Sequence, residues 1–92
     1  MGSKEQILST CNKQGQAFVR QGKWCKCLLA LKGNHLYCWE IDSGRQVFWM
    51  PVVSLGQIKK GRLDVLQVSN GKDMHSLTFK EESQFDEWKL TL

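Results

Sequence analysis

The sequence predicts a mostly β fold with one C-terminal α-helix: a seven-stranded antiparallel β-barrel or sandwich that the helix caps. Apolar and polar residues alternate in short stretches through most of the chain, as they do in half-buried strands. Turn-forming residues separate these stretches. Only residues 81–92, EESQFDEWKLTL, change to a helical period. One run of short strands followed by one helix therefore defines the fold class.

The first three strands are predicted at residues 15–20, 23–31 and 36–41. Gly33 and Asn34 lie between the second and third, and both tolerate the positive φ of a tight hairpin turn. Residues 1–14 have no strong period and are expected to form a lead-in, either flexible or a short helix packed on the barrel. Alternation places four residues of the hairpin on the inner face: Leu29, Leu31, Leu36 and Cys38.

Four further strands and the helix complete the domain, residues 15–92. A strand over 46–50 ends at Pro51, which has no amide hydrogen for a ladder. A short strand is expected around Ile58, and two more over 63–68 and 75–80. In the helix, Ser83 followed by Asp86 is a loose capping box. One helical stripe should cover the open core: Phe85, Trp88 and Leu92.

Composition limits the class of protein. Ninety-two residues, 41% of them hydrophobic and 24% charged, suit one folded domain. The net charge of +4 favours acidic surfaces, but no Lys/Arg run or RNA-binding aromatic motif indicates nucleic acid. No apolar run approaches the roughly 18 residues of a membrane span, and the N-terminus lacks the apolar stretch of a signal peptide. The chain is therefore expected to be cytoplasmic.

The four cysteines leave three interpretations open. Cys25 and Cys27 point to the same side of one strand, but structural zinc usually needs two pairs at wider spacing. Reduced thiols are favoured over zinc or a disulfide, so neither a metal nor a cofactor is expected. His35 and His75 have no nucleophile or carboxylate partner nearby in sequence. The chain is thus predicted not to be an enzyme and to have no small-molecule substrate.

The order of elements resembles that of pleckstrin homology (PH) domains. The resemblance rests on Trp24 before a basic cluster, the L-Y-x-W strand at 36–39, the P-x-x-x-L segment at 51–55 and Trp88 in the last helix. It covers about residues 15–92. It implies a PH-like fold and a role as an adaptor within a larger signalling or cytoskeleton-regulating protein.

The resemblance also bears on lipid binding. PH domains that bind phosphoinositides tightly carry basic residues at the end of strand one and at alternating positions of strand two. Those positions here hold Val19, Cys25 and Cys27, while Lys26 points to the opposite face. Weak attraction to anionic lipid is therefore the most that the resemblance implies. The candidate lipid-contacting residues are Arg20, Lys23, Lys26, Lys32 and Arg45, with Lys59, Lys60 and Arg62 in the same diffuse rim at one end.

Three functions remain open from the sequence. The first is a non-catalytic module that binds an unidentified protein partner through Tyr37, Trp39 and Trp49, on the face opposite Leu36 and Cys38. If the lead-in or a neighbouring domain covers that face, these residues instead form a second small core. The second is phosphoinositide or anionic-membrane targeting by the basic rim, at the plasma membrane or cell cortex. The third is peptide capture along a sheet edge, as in the related phosphotyrosine-binding fold.

Overall fold

The computed structural model describes residues 3–92. Its helices and strands follow in chain order: α1 (Lys4–Thr10), β1 (Lys13–Gln21), β2 (Lys23–Lys32), β3 (His35–Glu40), β4 (Gln46–Pro51), β5 (Ser54–Lys60), β6 (Leu63–Ser69), β7 (Met74–Thr78) and α2 (Glu82–Thr91). Neither helix in this part of the chain is long and apolar enough to cross a membrane.

The seven strands form one antiparallel sheet in the order β4-β3-β2-β1-β7-β6-β5. The sheet curls into a half-barrel, which confirms the mostly antiparallel β class with a C-terminal helix. Strand β1 joins the two halves of the sheet. It pairs with β2 along its whole length, but with β7 only at Phe18 and Val19.

The main core fills the concave face of the sheet. Leu29, Leu31, Leu36 and Cys38, predicted to point inward, are each at most 5% exposed. Helix α2 lies across this core, as the spacing of its apolar residues predicts. Phe85 and Trp88 are buried there, and Leu92 packs against them half-buried.

Helix α2 is tied to the start of β1 through Trp88. A Cβ atom added at Gly15 would lie 3.3 Å from the indole nitrogen of Trp88, so a side chain at this position would press on the core. The ammonium of Lys13 stands 5.4 Å from the Trp88 ring and 3.3 Å from the carboxylate of Glu87. The absence of a side chain at Gly15 therefore lets the helix approach the strand closely.

Helix α1 packs on the convex face, so the described part of the predicted lead-in contains the short helix rather than a flexible segment. Residues 1 and 2 of the lead-in lie outside the described residues. Ile7 lies against Ala30 and Trp39 in a second buried cluster, and all three are at most 5% exposed. The hydroxyl of Ser3 caps the helix by accepting a hydrogen bond from the amide of Gln6, at 3.2 Å.

Three local expectations differ from the structure. Helix α2 begins at Glu82 with Glu81 as its N-cap, so Ser83 lies inside the first turn and caps nothing. In the β2–β3 turn only Gly33 has a positive φ, 63°, which fits a type II′ turn with glycine at its first central position. Strand β5 covers Ser54–Lys60 rather than a short stretch around Ile58.

Candidate recognition surface

Three stacked aromatic rings cross the convex face of β3 and β4. Tyr37 stacks on Trp39 with ring centroids 5.8 Å apart, and on Trp49 with centroids 5.9 Å apart. Residues two apart on a strand share a face, which explains the first contact. The register sets Tyr37 directly opposite Trp49, which explains the second. These three residues, Tyr37, Trp39 and Trp49, are called the aromatic row below.

The aromatic row runs from a covered end to an exposed end. Trp39 lies beneath α1 and is 4% exposed, with the ammonium of Lys4 5.7 Å from its ring. Tyr37 is half-buried, and Trp49 is 46% exposed. Trp39 therefore belongs to the second core and is not accessible to a partner, although the partner-binding prediction included it. Trp49 and part of Tyr37 are accessible at the surface.

Trp49 lies on an edge strand that carries no charge. Within residues 3–92, β4 is first in the sheet order and pairs with β3 alone. Its six residues, QVFWMP, contain no charged side chain. Strand β5, at the other edge, carries Lys59 and Lys60. Charged residues on an edge strand discourage pairing with another chain, so β4 is the less protected of the two edges.

Three connections lie at the same end of the sheet: the β1–β2 turn, the β3–β4 loop and the β6–β7 loop. This end is called the mouth below. Here the guanidinium of Arg45 donates a hydrogen bond to the Gln21 side-chain oxygen at 3.0 Å and lies 3.7 Å from the carboxylate of Glu40. The Ser43 hydroxyl donates to the same carboxylate at 2.7 Å. The Arg45 side chain is 60% exposed, so this pairing is weak. The pairing nevertheless places the carboxylate of Glu40 next to the guanidinium of Arg45, which partly neutralises its charge.

The structure does not gather the predicted basic residues into one rim. Arg20 and Lys23 lie near the mouth, where the guanidinium of Arg20 stands 5.7 Å from the Trp24 ring. Lys26 lies nearby, opposite Phe18. Lys32 lies at the other end of β2 and donates a hydrogen bond to the Thr10 hydroxyl at 2.9 Å.

Strand geometry explains this separation. A strand rises about 3.3 Å per residue, so the first and last lysines of β2 are about 30 Å apart. Three further members of the predicted rim flank the β5–β6 turn, at the end of β6 away from the mouth: Lys59, Lys60 and Arg62. Four residues of the predicted rim therefore remain at the mouth: Arg20, Lys23, Lys26 and Arg45. Lys72 of the β6–β7 loop, which the prediction did not include, lies at the same end.

A stacked pair of rings connects the two halves of the sheet near the mouth. Phe48 of β4 and His75 of β7 have ring centroids 4.1 Å apart. Burial lowers the pKa of His75, while the carboxylate of Asp73 acts in the opposite direction. The neutral imidazole is therefore the form that suits this position. Nothing in the sequence pattern pairs these residues, because their strands are not neighbours in the sheet.

Two of the four cysteines lie in the main core. Cys27 and Cys38 have no exposed surface, and burial raises the pKa of both thiols. Cys11 and Cys25 are half-buried, and all four thiols are free. Raised pKa values disfavour the thiolate, which is both the nucleophile and the metal ligand. Across residues 3–92, no cluster of three or more His, Cys, Asp or Glu side chains is arranged to hold a metal ion.

Comparisons with known proteins identify no relative. No family model matches the chain, and no curated protein or solved structure shows significant similarity to it. The fold and its surface define a small antiparallel β domain with a C-terminal helix, an exposed aromatic edge and a mouth of mixed charge.

Proposed function

We propose that the chain is a non-catalytic recognition module of PH-like fold that binds a protein partner through the exposed end of the aromatic row. The observation that carries the proposal is Trp49, 46% exposed and held in place by stacking on Tyr37. Large aromatic side chains are enriched among the residues that dominate interface energetics. A ring that is already held by stacking loses little further freedom when a partner packs on it.

The PH-like assignment is supported by the order of elements and by Trp88 in the last helix. In this proposal, the module localises a larger signalling or cytoskeleton-regulating protein in the cytoplasm. The Glu40 carboxylate beside Arg45 at the mouth supports a protein partner over a phosphoinositide, because it would repel the phosphates that Arg45 alone would attract.

The proposal is tested by comparing wild type with Trp49→Ala and Leu90→Ala. Leu90 lies on α2 and is 87% exposed, so its variant controls for the loss of any exposed apolar side chain. Immobilised domains capture proteins from a cytosolic extract of the cell that expresses the chain, and mass spectrometry quantifies them. A hot-spot residue contributes about 2 kcal/mol or more, so Trp49→Ala should reduce capture of the partner by about 30-fold or more. Equal capture by all three proteins would refute the proposal.

A second candidate function, binding to an anionic membrane surface, is favoured by the composition of the mouth. Ile41 and Met74, 38% and 58% exposed, lie at this end together with Lys23. Apolar side chains flanked by basic ones suit the surface of an anionic bilayer. This function has weaker support than the first, because the pocket that Lys23 and Lys26 line at the mouth is also lined by the carboxylates of Glu40 and Asp42, which repel anionic head groups.

Co-sedimentation with liposomes tests the membrane function. Neutral liposomes are compared with phosphatidylserine liposomes, with and without phosphoinositides, at low and physiological salt. Binding by surface charge should weaken at physiological salt because the charges are screened, and replacing Arg20, Lys23 and Lys26 with alanine should remove it. Binding that the triple variant retains would exclude these residues. Phosphoinositide-dependent binding that persists at physiological salt would instead indicate a specific head-group pocket.

A further inference from the structure

We infer that the partner of the aromatic row is a second copy of this chain, which adds its own β4 antiparallel to the free edge of β4. The inference rests on the proposed function, because it names the partner of the same surface. The resulting dimer would have twofold symmetry and one continuous sheet across its interface.

The first support is the unpaired edge itself. Strand β4 bonds to β3 on one side only. Among residues 3–92, no backbone hydrogen bond outside the regular elements involves Gln46–Pro51, and no described side chain bonds to its backbone. An edge strand of this kind presents unpaired amides and carbonyls that match those of another strand.

The second support is charge, which favours an identical strand as the occupant. Because β4 carries no charged residue, two antiparallel copies bring no like charges opposite each other. Arg45 precedes the strand, so the two Arg45 side chains would lie at opposite ends of the paired strands. Strand β5 is less suited to pairing with its own copy, because its lysines, Lys59 and Lys60, lie within the strand and add positive charge to the paired strands.

The third support is the position of Trp49 near the middle of the strand. Pairing Trp49 with its counterpart sets the two indole rings on the same convex face, because directly opposite residues of an antiparallel pair share a face. The two aromatic rows then meet and form one row of six rings. Phe48 and Met50, which point into the core, stay buried in each copy.

Two features limit the strength of this association. Pro51 has no amide hydrogen, and the register of β3 and β4 shifts between Cys38 and Trp39, near the start of β4. Only the central residues of β4 can pair fully. The interface should therefore bury less than about 1,200 Å², the range of weak and reversible complexes.

Analytical ultracentrifugation tests the inference on wild type, Trp49→Lys and Leu63→Lys. Leu63 is 43% exposed at the start of β6, so its variant makes the same change of charge on an apolar residue of similar exposure at the far side of the sheet from β4. From about 10 μM to about 1 mM, wild type and Leu63→Lys should change from monomer to dimer, as a weak interface does. Trp49→Lys should remain a monomer. Circular dichroism confirms that each variant is folded.

Hydrogen exchange of the wild type gives an independent readout. Amides on the free edge of β4 should become protected as the concentration rises, while those of β5 should not. Wild type that stays monomeric over the whole range, a Trp49→Lys variant that dimerises like wild type, or protection of β5 instead of β4 would each overturn the inference. A monomeric chain that still captures another protein through Trp49 overturns the inference alone. Loss of Trp49-dependent capture together with a monomeric state overturns the proposed function as well.

Discussion

Trp39 and Trp49 belong to one stacked row, yet helix α1 covers only one of them. Ile7 packs on Trp39 and the ammonium of Lys4 stands over its ring, which is 4% exposed, whereas Trp49 at the sheet edge remains 46% exposed. Each ring stacks on Tyr37. The difference between a core residue and a candidate contact residue therefore lies in what covers the ring.

Because Trp39 is buried and Trp49 is exposed, replacing each one separately should lower the free energy of unfolding by different amounts. Trp39→Ala should lower the free energy of unfolding by about 3–5 kcal/mol, the usual result for a buried tryptophan. Trp49→Ala should lower it by about 1–2 kcal/mol, the value of its two aromatic contacts with Tyr37 and His35. Urea denaturation followed by circular dichroism measures both. If the two variants lose equal stability, Trp49 acts as a core residue and the proposed interface loses its main support.

At the scale of elements, the contact between Phe48 and His75 connects β4 to β7 without any strand pairing between them. The pKa of His75 is lowered in the folded protein by burial. The unfolded chain therefore binds a proton at a higher pH than the folded protein does. The contribution of neutral His75 to stability is fully present above the ordinary histidine pKa of 6.5 and is lost as the pH falls from there towards the lower folded value.

Urea denaturation at about pH 7.5 and about pH 5.5 tests this titration, because histidine changes charge between these values. Wild type should lose more stability between the two than His75→Phe, which keeps an aromatic ring against Phe48 but cannot titrate. His35→Gln serves as the control, because His35 contacts Trp49 on the other face of the sheet. If His75→Phe and wild type lose the same stability on acidification, His75 does not carry this pH dependence.

The sequence predicts where the strands and the C-terminal helix lie better than it predicts which residues from distant segments pack over them. The positions of Leu29, Leu36 and Trp88 in the core follow from periods of two and of about 3.6 residues, which are local properties. The burial of Trp39 depends on Ile7, which lies far away in sequence. A local signal for α1 does exist, since Ser3 and Gln6 have capping-box spacing.

The candidate site is less predictable than the fold for a similar reason. Tyr37 and Trp49 could be assigned to one face by alternation, and the structure places them together. The predicted strand over 23–31 already places Lys32 at the opposite end from Lys23. The position of Lys59, Lys60 and Arg62 away from the mouth depends instead on how β5 and β6 are placed in the sheet, which no local pattern indicates. The pairing of Arg45 with Glu40 depends on the path of the β3–β4 loop.

At the scale of the whole molecule, the sheet separates two cores, and the concave one contains the buried thiols. Cys27 and Cys38 lie on the adjacent strands β2 and β3, on the concave face of the curled sheet, with no exposed surface. Reaching them requires the core itself to open. Their reactivity therefore reports on global unfolding.

Thiol labelling tests this conclusion. In native buffer, Cys11 and Cys25 should react with an aromatic disulfide reagent, whereas Cys27 and Cys38 should react only as the chain unfolds, because burial and a raised pKa both suppress their thiolates. A Cys11→Ser, Cys25→Ser variant leaves only the interior pair and should show no fast phase. A fast phase in that variant would mean that the sheet opens locally at β2 and β3.

The narrow junction between β1 and β7 has a consequence for how the chain folds. Strands β1–β4 and β5–β7 are each built from hairpins between neighbours in sequence, which need only short loops to close. The two pairs that join them, Phe18 with Thr78 and Val19 with Leu77, connect segments some 60 positions apart. Closing so long a loop has the larger entropic cost. We expect the two meanders to form early and their junction to set the folding rate, so that a chain cut between Val52 and Val53 could reassemble from its two fragments.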